Sequence, residues 1–165
     1  LEAWADDLAA ALPGIWNEEL GCHDARDLRT GAFAGILGSG AFLAWLAGDV
    51  APGVEERLLA VWDRVRYGIP SADPAAPRFE PRRYWRGPMW PVVNSLIAMG
   101  QADAGRTDLA RRLRAETAQA ITRGGFNEYF DPTDGTPCGG KDFTWTAAIW
   151  LTWASPTAGT GKGAG

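Results

Sequence analysis

The chain is 165 residues long, enough for one domain with a buried core. Its net charge of −4, with no basic stripe, argues against a nucleic-acid partner. Two cysteines are too few for a disulfide framework, and a single histidine excludes a His-rich metal site.

Six helices are expected, in two alternating characters. Residues 1–12 are amphipathic, with Leu1, Trp4, Leu8 and Leu12 on one face. Residues 34–47 are apolar nearly all round, and Gly35, Gly38, Ser39 and Gly40 allow close contact. Residues 54–66 are amphipathic again, with Val54, Leu58, Val61, Trp62 and Val65 at helical spacing. Residues 91–99 are apolar on most sides. Residues 107–123 carry Leu109, Leu113 and Ile121 on one stripe, and Gly124-Gly125 stops the helix. The charges over residues 106–114 are mixed in sign and read as its solvated face. Residues 143–153 are apolar once more, with Trp150 and Trp153 expected deep in the core. Residues 155–165 cannot bury anything and are expected to be a disordered tail after a folded unit of residues 1–154.

A helix apolar all round is buried on all sides, whereas an amphipathic one has a wet face. The order outer, inner, outer, inner, outer, inner describes stacked helical hairpins: an all-α fold without a convincing sheet. The links after inner helices are short, at residues 48–53 and 100–106. Those before inner helices are long, at residues 13–33, 67–88 and 124–142, with room for short hairpins. Long ordered links are usually functional, and in an up-down array all three fall at one end.

Those links carry the chemistry. Nine tryptophans in one short chain are many, and their N–H groups favour a half-exposed setting in a cleft. Three aromatic clusters stand out: Tyr84-Trp85-Arg86-Gly87-Pro88-Met89-Trp90-Pro91, Gly125-Phe126-Asn127-Glu128-Tyr129-Phe130-Asp131-Pro132, and Phe143-Thr144-Trp145-Thr146. An acid set among aromatic faces suits a pocket that grips a polar, ring-shaped ligand, as glycoside chemistry requires. Glu128 reads either as a general base that activates water or as a loop carboxylate that caps a helix or pairs with arginine. Arg86 reads as a rim group for carboxylates or hydroxyls, or as half of an ion pair. Tyr84, Trp85, Trp90 and Trp145 can stack on a ligand or fill a core. Asp131 and Asp134 look like turn residues, and Asp142 like a helix N-cap. Asn94, on an apolar helix, needs a partner and could face the interior of the helix ring. Cys22-His23-Asp24 looks ligand-like, but adjacent residues supply poor tetrahedral geometry, so no metal and no cofactor are expected. No apolar run spans a bilayer, so no membrane partner is expected. No signal peptide is visible, which favours the cytoplasm, although the chain begins at Leu1 rather than Met.

The run from Tyr84 to Asn94 resembles the signature of glycoside hydrolase family 63 and its bacterial relatives, which include mannosylglycerate and glucosylglycerate hydrolases. The segment around Glu128 is similar to that family's base-bearing stretch, and Phe143-Thr144-Trp145-Thr146-Ala147-Ala148 to the run that follows it. The resemblance covers residues 14–154, with the three motifs in order. It implies an (α/α)6 barrel and an inverting α-glycosidase, with Glu128 as base and Tyr84, Trp85, Arg86, Trp90, Tyr129 and Trp145 lining the sugar site. Such a barrel has about twelve helices, of which this chain would supply about six. The general acid would lie upstream, so the chain would need the missing N-terminal half and be inactive alone. A non-catalytic helical module that binds sugar or protein is the alternative.

Overall fold

The computed structural model describes residues 2–48 and 50–158. Its helices are α1 (Glu2–Ala11), α2 (Ser39–Phe42), α3 (Val54–Trp62), α4 (Pro91–Asp103), α5 (Thr107–Gly124) and α6 (Thr144–Ile149). Two small antiparallel hairpins lie in the long links: β1 (Trp16–Asn17) with β2 (Cys22–His23), and β3 (Tyr129–Phe130) with β4 (Pro137–Cys138). Six α-helices are present among the described residues, and the two hairpins occupy long links that had room for them. They are hard to read in the sequence because a two-residue strand has no alternation to detect. No helix among the described residues is long and apolar enough to cross a membrane.

Local chemistry explains where the elements begin and end. Pro91 opens α4, where a missing N–H costs nothing. Asp108 in the first turn of α5 and Arg123 in the last complement its dipole. The helix expected from residue 34 starts only at Ser39 and tightens into a 3-10 turn over Leu43–Ala47. Residues 34–38 stay extended because other groups claim their backbone. The Gly35 N–H donates to Asp24 at 2.8 Å, and the Leu37 carbonyl accepts from the Asp73 N–H at 2.7 Å. The last helix widens into a π turn over Trp150–Ala154, closed by the Ser155 N–H on the Trp150 carbonyl at 2.9 Å.

The larger core gathers Phe42, Trp45, Leu58, Trp62, Ile97 and Leu113 between α2, α3, α4 and α5. Here α4 lies directly on the Leu43–Ala47 turn: a Cβ at Gly100 would stand 2.6 Å from the Trp45 carbonyl carbon, so only glycine allows the approach. A second core, with Tyr67, Met89, Ile121 and Phe130, joins α5 to the links that bear the aromatic motifs. Not every inner face is covered. Met99 on α4 is 53% exposed and Leu151 is 72% exposed, while Trp150 and Trp153 are only half-buried rather than deep in the core. On α1, the face expected to pack is open, with Trp4 72% and Leu8 71% exposed.

The charged run on α5 does more than face solvent. Glu116 accepts the Trp62 indole N–H at 2.6 Å, the Gly68 N–H at 2.9 Å and the Arg112 Nε at 2.8 Å. The Arg112 guanidinium lies 4.1 Å from the Trp62 ring centroid and also pairs with Asp63 at 2.8 Å. One carboxylate thus fixes the end of α3 and the start of the following link. A second clip holds that link to the β3–β4 turn, where Arg82 donates to the buried Asp131 at 2.8 Å and to Asp134 at 2.8 Å. Ser155 and Ala158, expected at the start of a disordered tail, make a turn whose carbonyls accept from Arg114. Residues 159–165 of that tail lie outside the described residues.

Replacing Glu116 by Ala strands the Trp62 indole and the Gly68 N–H, and is expected to cost about 2–4 kcal/mol in urea unfolding. Arg82→Ala leaves the buried Asp131 carboxylate without its cation and is expected to lower the urea midpoint in the same measurement. The Asp134 carboxyl is held below its usual range, first by the Thr136 hydroxyl and N–H and then by Arg82. A depressed carboxylate contributes stability above its unfolded pKa and loses it as pH falls through the folded value. Below about pH 4 the wild type should therefore lose stability more steeply than Asp134→Asn in pH-dependent melting.

Candidate active site

The Glu128 segment follows α5 and is fastened at every residue. The Asn127 side chain donates to the Gly124 carbonyl at 2.6 Å and turns the chain out of the helix. The Asn127 carbonyl accepts the Thr146 hydroxyl at 2.6 Å, and the Phe126 carbonyl accepts the Phe143 N–H at 2.8 Å. These two bonds bring the third aromatic motif against the second. Glu128 itself is half-buried. Its N–H donates to the Gly140 carbonyl at 2.9 Å, and the Gly140 N–H donates back to Glu128 Oε2 at 3.1 Å. Oε1 accepts from no protein group among the described residues.

The first motif joins through a backbone pair and through ring contacts. Met89 and Phe130 exchange N–H···O bonds of 2.8 and 2.9 Å, which lays the Tyr84–Trp90 segment beside β3. There Trp85 stacks on Trp90 with centroids 4.1 Å apart and planes 3° from parallel. Tyr129 lies 4.9 Å from Trp90, and Tyr84 meets Trp85, Trp90 and Tyr129 edge-on. The Trp90 indole N–H donates to the Tyr84 carbonyl at 3.0 Å. Trp90 is 3% exposed and forms the floor of this ring cluster, in which Tyr84 at 53% and Trp85 at 46% stand open; Trp145, 58% exposed, meets Phe143 edge-on. Burial pushes the Tyr129 hydroxyl above its usual pKa, with Cys138 and Glu128 nearby adding to the shift. Tyr84 holds φ at 41°, a conformation that costs energy in a bulky residue and aims its ring across the cluster.

All three motifs therefore meet, as the long-link argument expects. Of the seven site residues read from the sequence, Tyr84, Trp85, Trp90 and Tyr129 share one ring cluster, Glu128 precedes Tyr129 at the edge of β3, and the segment of Trp145 is bonded to that of Glu128. Arg86 takes the ion-pair alternative: it meets Glu80 at 2.6 Å, with both side chains about half-exposed. Asp131 is the turn residue expected, holding the Thr133 N–H and hydroxyl as well as Arg82. Asp142 is not the N-cap expected. Phe143 holds the cap position without a side-chain bond, and Asp142 is exposed at φ 55°. Asn94 is fully buried and accepts the Ile69 N–H at 3.2 Å, which makes it a core residue.

Cys22, His23 and Asp24 do not converge on a common point. The Cys22 thiol is in the core, and burial pushes it up to about 11. Burial likewise lowers His23, while Asp24 is occupied by Asn17 at 3.0 Å and by Gly35. Among the described residues no three His, Cys, Asp or Glu side chains group to hold a metal. Two cavities, of about 610 and 350 Å³, are lined by residues such as Arg57, Arg78, His23 and Ser71 and not by Glu128. A half-open carboxylate next in the chain to Tyr129, whose ring meets Trp90, has an oxygen able to take a proton from a water molecule. Sequence reasoning missed the roles of Thr146, Arg82 and Gly139-Gly140; only the last had a signal, since a Gly-Gly pair marks a break in regular structure.

The model of the mannosylglycerate hydrolase MGH1-like glycoside hydrolase domain matches residues 1–146. Mannosylglycerate hydrolase of Thermus thermophilus is 40% identical over 158 residues, which are 93% of this chain and 38% of the relative. Glucosylglycerate hydrolase of Mycolicibacterium hassiacum is 43% identical over 90 residues, 54% of this chain and 20% of the relative. A crystal structure of the GH63 mannosylglycerate hydrolase from Thermus thermophilus, in complex with Tris and D-glycerate, superposes with a TM-score of 0.83 at 38% identity, over 90% of this chain and 38% of that one. The chain thus spans little more than a third of the relatives it matches along nearly its whole length. It belongs to the mannosylglycerate hydrolase MGH1-like group of glycoside hydrolase family 63.

Proposed function

We propose that this chain forms the C-terminal half of an (α/α)6 catalytic domain in an inverting α-glycosidase, with Glu128 as the general base. The observation that carries the reading is the Glu128 carboxylate, tied through Oε2 and open at Oε1, next in the chain to Tyr129, whose ring meets Tyr84 and Trp90. The names of the relatives support an α-mannoside or α-glucoside of glycerate as the substrate. The uncovered apolar groups Trp4, Leu8, Met99 and Leu151 suit contact with the other half of such a barrel.

In this reading, water attacks the anomeric carbon as Glu128 Oε1 takes its proton. The bond to the glycosidic oxygen breaks, and that oxygen takes a proton from a second carboxyl outside the chain. Inversion requires the two carboxyls to stand about 6.5–9.5 Å apart, with room for the water between them. The second carboxyl is not sought among Asp131 and Asp134, because Arg82 and the local turn occupy them. Trp85 and Tyr84 would bind the apolar face of the sugar, and the buried Trp90 would support Trp85 by stacking.

The full-length gene product should hydrolyse a glycosylglycerate from a panel of α-glucosides and α-mannosides, and proton NMR should show the β-anomer first. In that protein Glu128→Gln should lower kcat by about 10²–10⁴-fold with the fold intact by circular dichroism. Near-normal turnover would remove Glu128 from the mechanism and leave the aromatic face as a binding surface. Trp85→Ala should raise KM roughly tenfold with a smaller change in kcat, as expected for a contact made equally in ground and transition states. The isolated 165-residue chain should show no turnover; hydrolysis by it would place the acid within these residues.

A further inference from the structure

We infer that the Gly139-Gly140 segment, which leaves β4 at the open end of the β3–β4 hairpin, is a positioning element that selects Glu128 Oε1 as the proton-accepting atom. The inference rests on the reading of Glu128 as base. One residue, Gly140, grips Glu128 at two points. Its carbonyl takes the Glu128 N–H at 2.9 Å, and its own N–H holds Oε2 at 3.1 Å. The Tyr129–Cys138 pairing sets the register that brings Gly140 there. A carboxylate held through one oxygen presents the other in a fixed direction, and that placement needs no reorganisation when water arrives.

Gly139 makes the grip possible. Its φ is +74°, and a Cβ there would stand 2.7 Å from Glu128 Cβ, from Glu128 Oε2 and from Tyr129 Cε1. Any side chain at this position must displace the carboxylate or the ring beside it. Gly105 offers a contrast in the α4–α5 turn: its φ is +77°, yet nothing lies within 4 Å of the Cβ position. Alanine at either site carries similar backbone strain, but only alanine at 139 meets Glu128.

The test compares Gly139→Ala, Gly105→Ala and Glu128→Gln in the full-length gene product, assayed on the glycosylglycerate it turns over best. Gly139→Ala should lower kcat about 10²-fold, as a displacement of a catalytic group by about 1 Å does, while KM stays within about threefold. Gly105→Ala should lose a similar amount of melting temperature and keep wild-type kcat. Wild-type kcat in a folded Gly139→Ala protein, or a rise in KM alone, would overturn the inference even if Glu128→Gln is inactive. Full activity in Glu128→Gln would instead remove the base reading on which it rests. A measurement without substitution at 139 covers the case in which that variant does not fold. With 15N-glycine labelling, the Gly140 amide resonance should move as the carboxylate takes up a proton on acidification, and should stay still in Glu128→Gln. A Gly140 amide that ignores acidification in the wild type would also overturn the inference.

Discussion

Met89 and Phe130 come from distant parts of the chain and exchange two backbone hydrogen bonds. That exchange is the constraint on which the site depends. Both residues are fully buried, so each N–H and carbonyl must find a partner, and each finds it in the other. Because the bonds are between backbones, they fix the register of the two segments without specifying their side chains. The outward residues on either side, Tyr84, Trp85, Glu128 and Tyr129, are then free to serve chemistry. The buried Trp90 beneath them turns a bulky indole into a flat support, and its N–H is satisfied by the Tyr84 carbonyl.

Two electrostatic clips keep the long link from drifting away from that pair. Glu116 holds its start, through Trp62 and Gly68, while Arg82 holds its middle against Asp131 and Asp134. In the second clip the buried partner is the Asp131 carboxylate, supplied with several donors, which is the condition for a desolvated charge to be tolerated. The mixed charges on α5 are legible as a wet face by period, yet Arg112 lies over the Trp62 ring. Helical periodicity locates a stripe but does not reveal which long side chain bends back over a neighbour.

The loops show the same division between what composition announces and what contact creates. Glu128 and the three aromatic clusters are visible as motifs, and their meeting is legible from the alternation of short and long links. The role of Gly139 is not, because the space it leaves is defined by the Glu128 and Tyr129 side chains across the hairpin. Arg86 and Asp142 mark the opposite failure. Each has a residue type that suits a role in isolation, but Glu80 claims the first, and the left-handed turn at the second points it away from capping.

Periodicity and punctuation by themselves determined six helices, the long and short links between them, and the carboxylate set in an aromatic frame. They did so because burial on one face, and the backbone limits of Pro and Gly, are written into residue order. Tertiary structure alone decided where the second helix starts, which Trp is floor and which is rim, and which oxygen of Glu128 is held. Those outcomes depend on partners brought from elsewhere in the chain: Asp73 on Leu37, Met89 on Phe130, and Gly140 on Glu128. No local pattern encodes such pairings, since each hydrogen bond is made by a backbone group that every residue but proline carries alike.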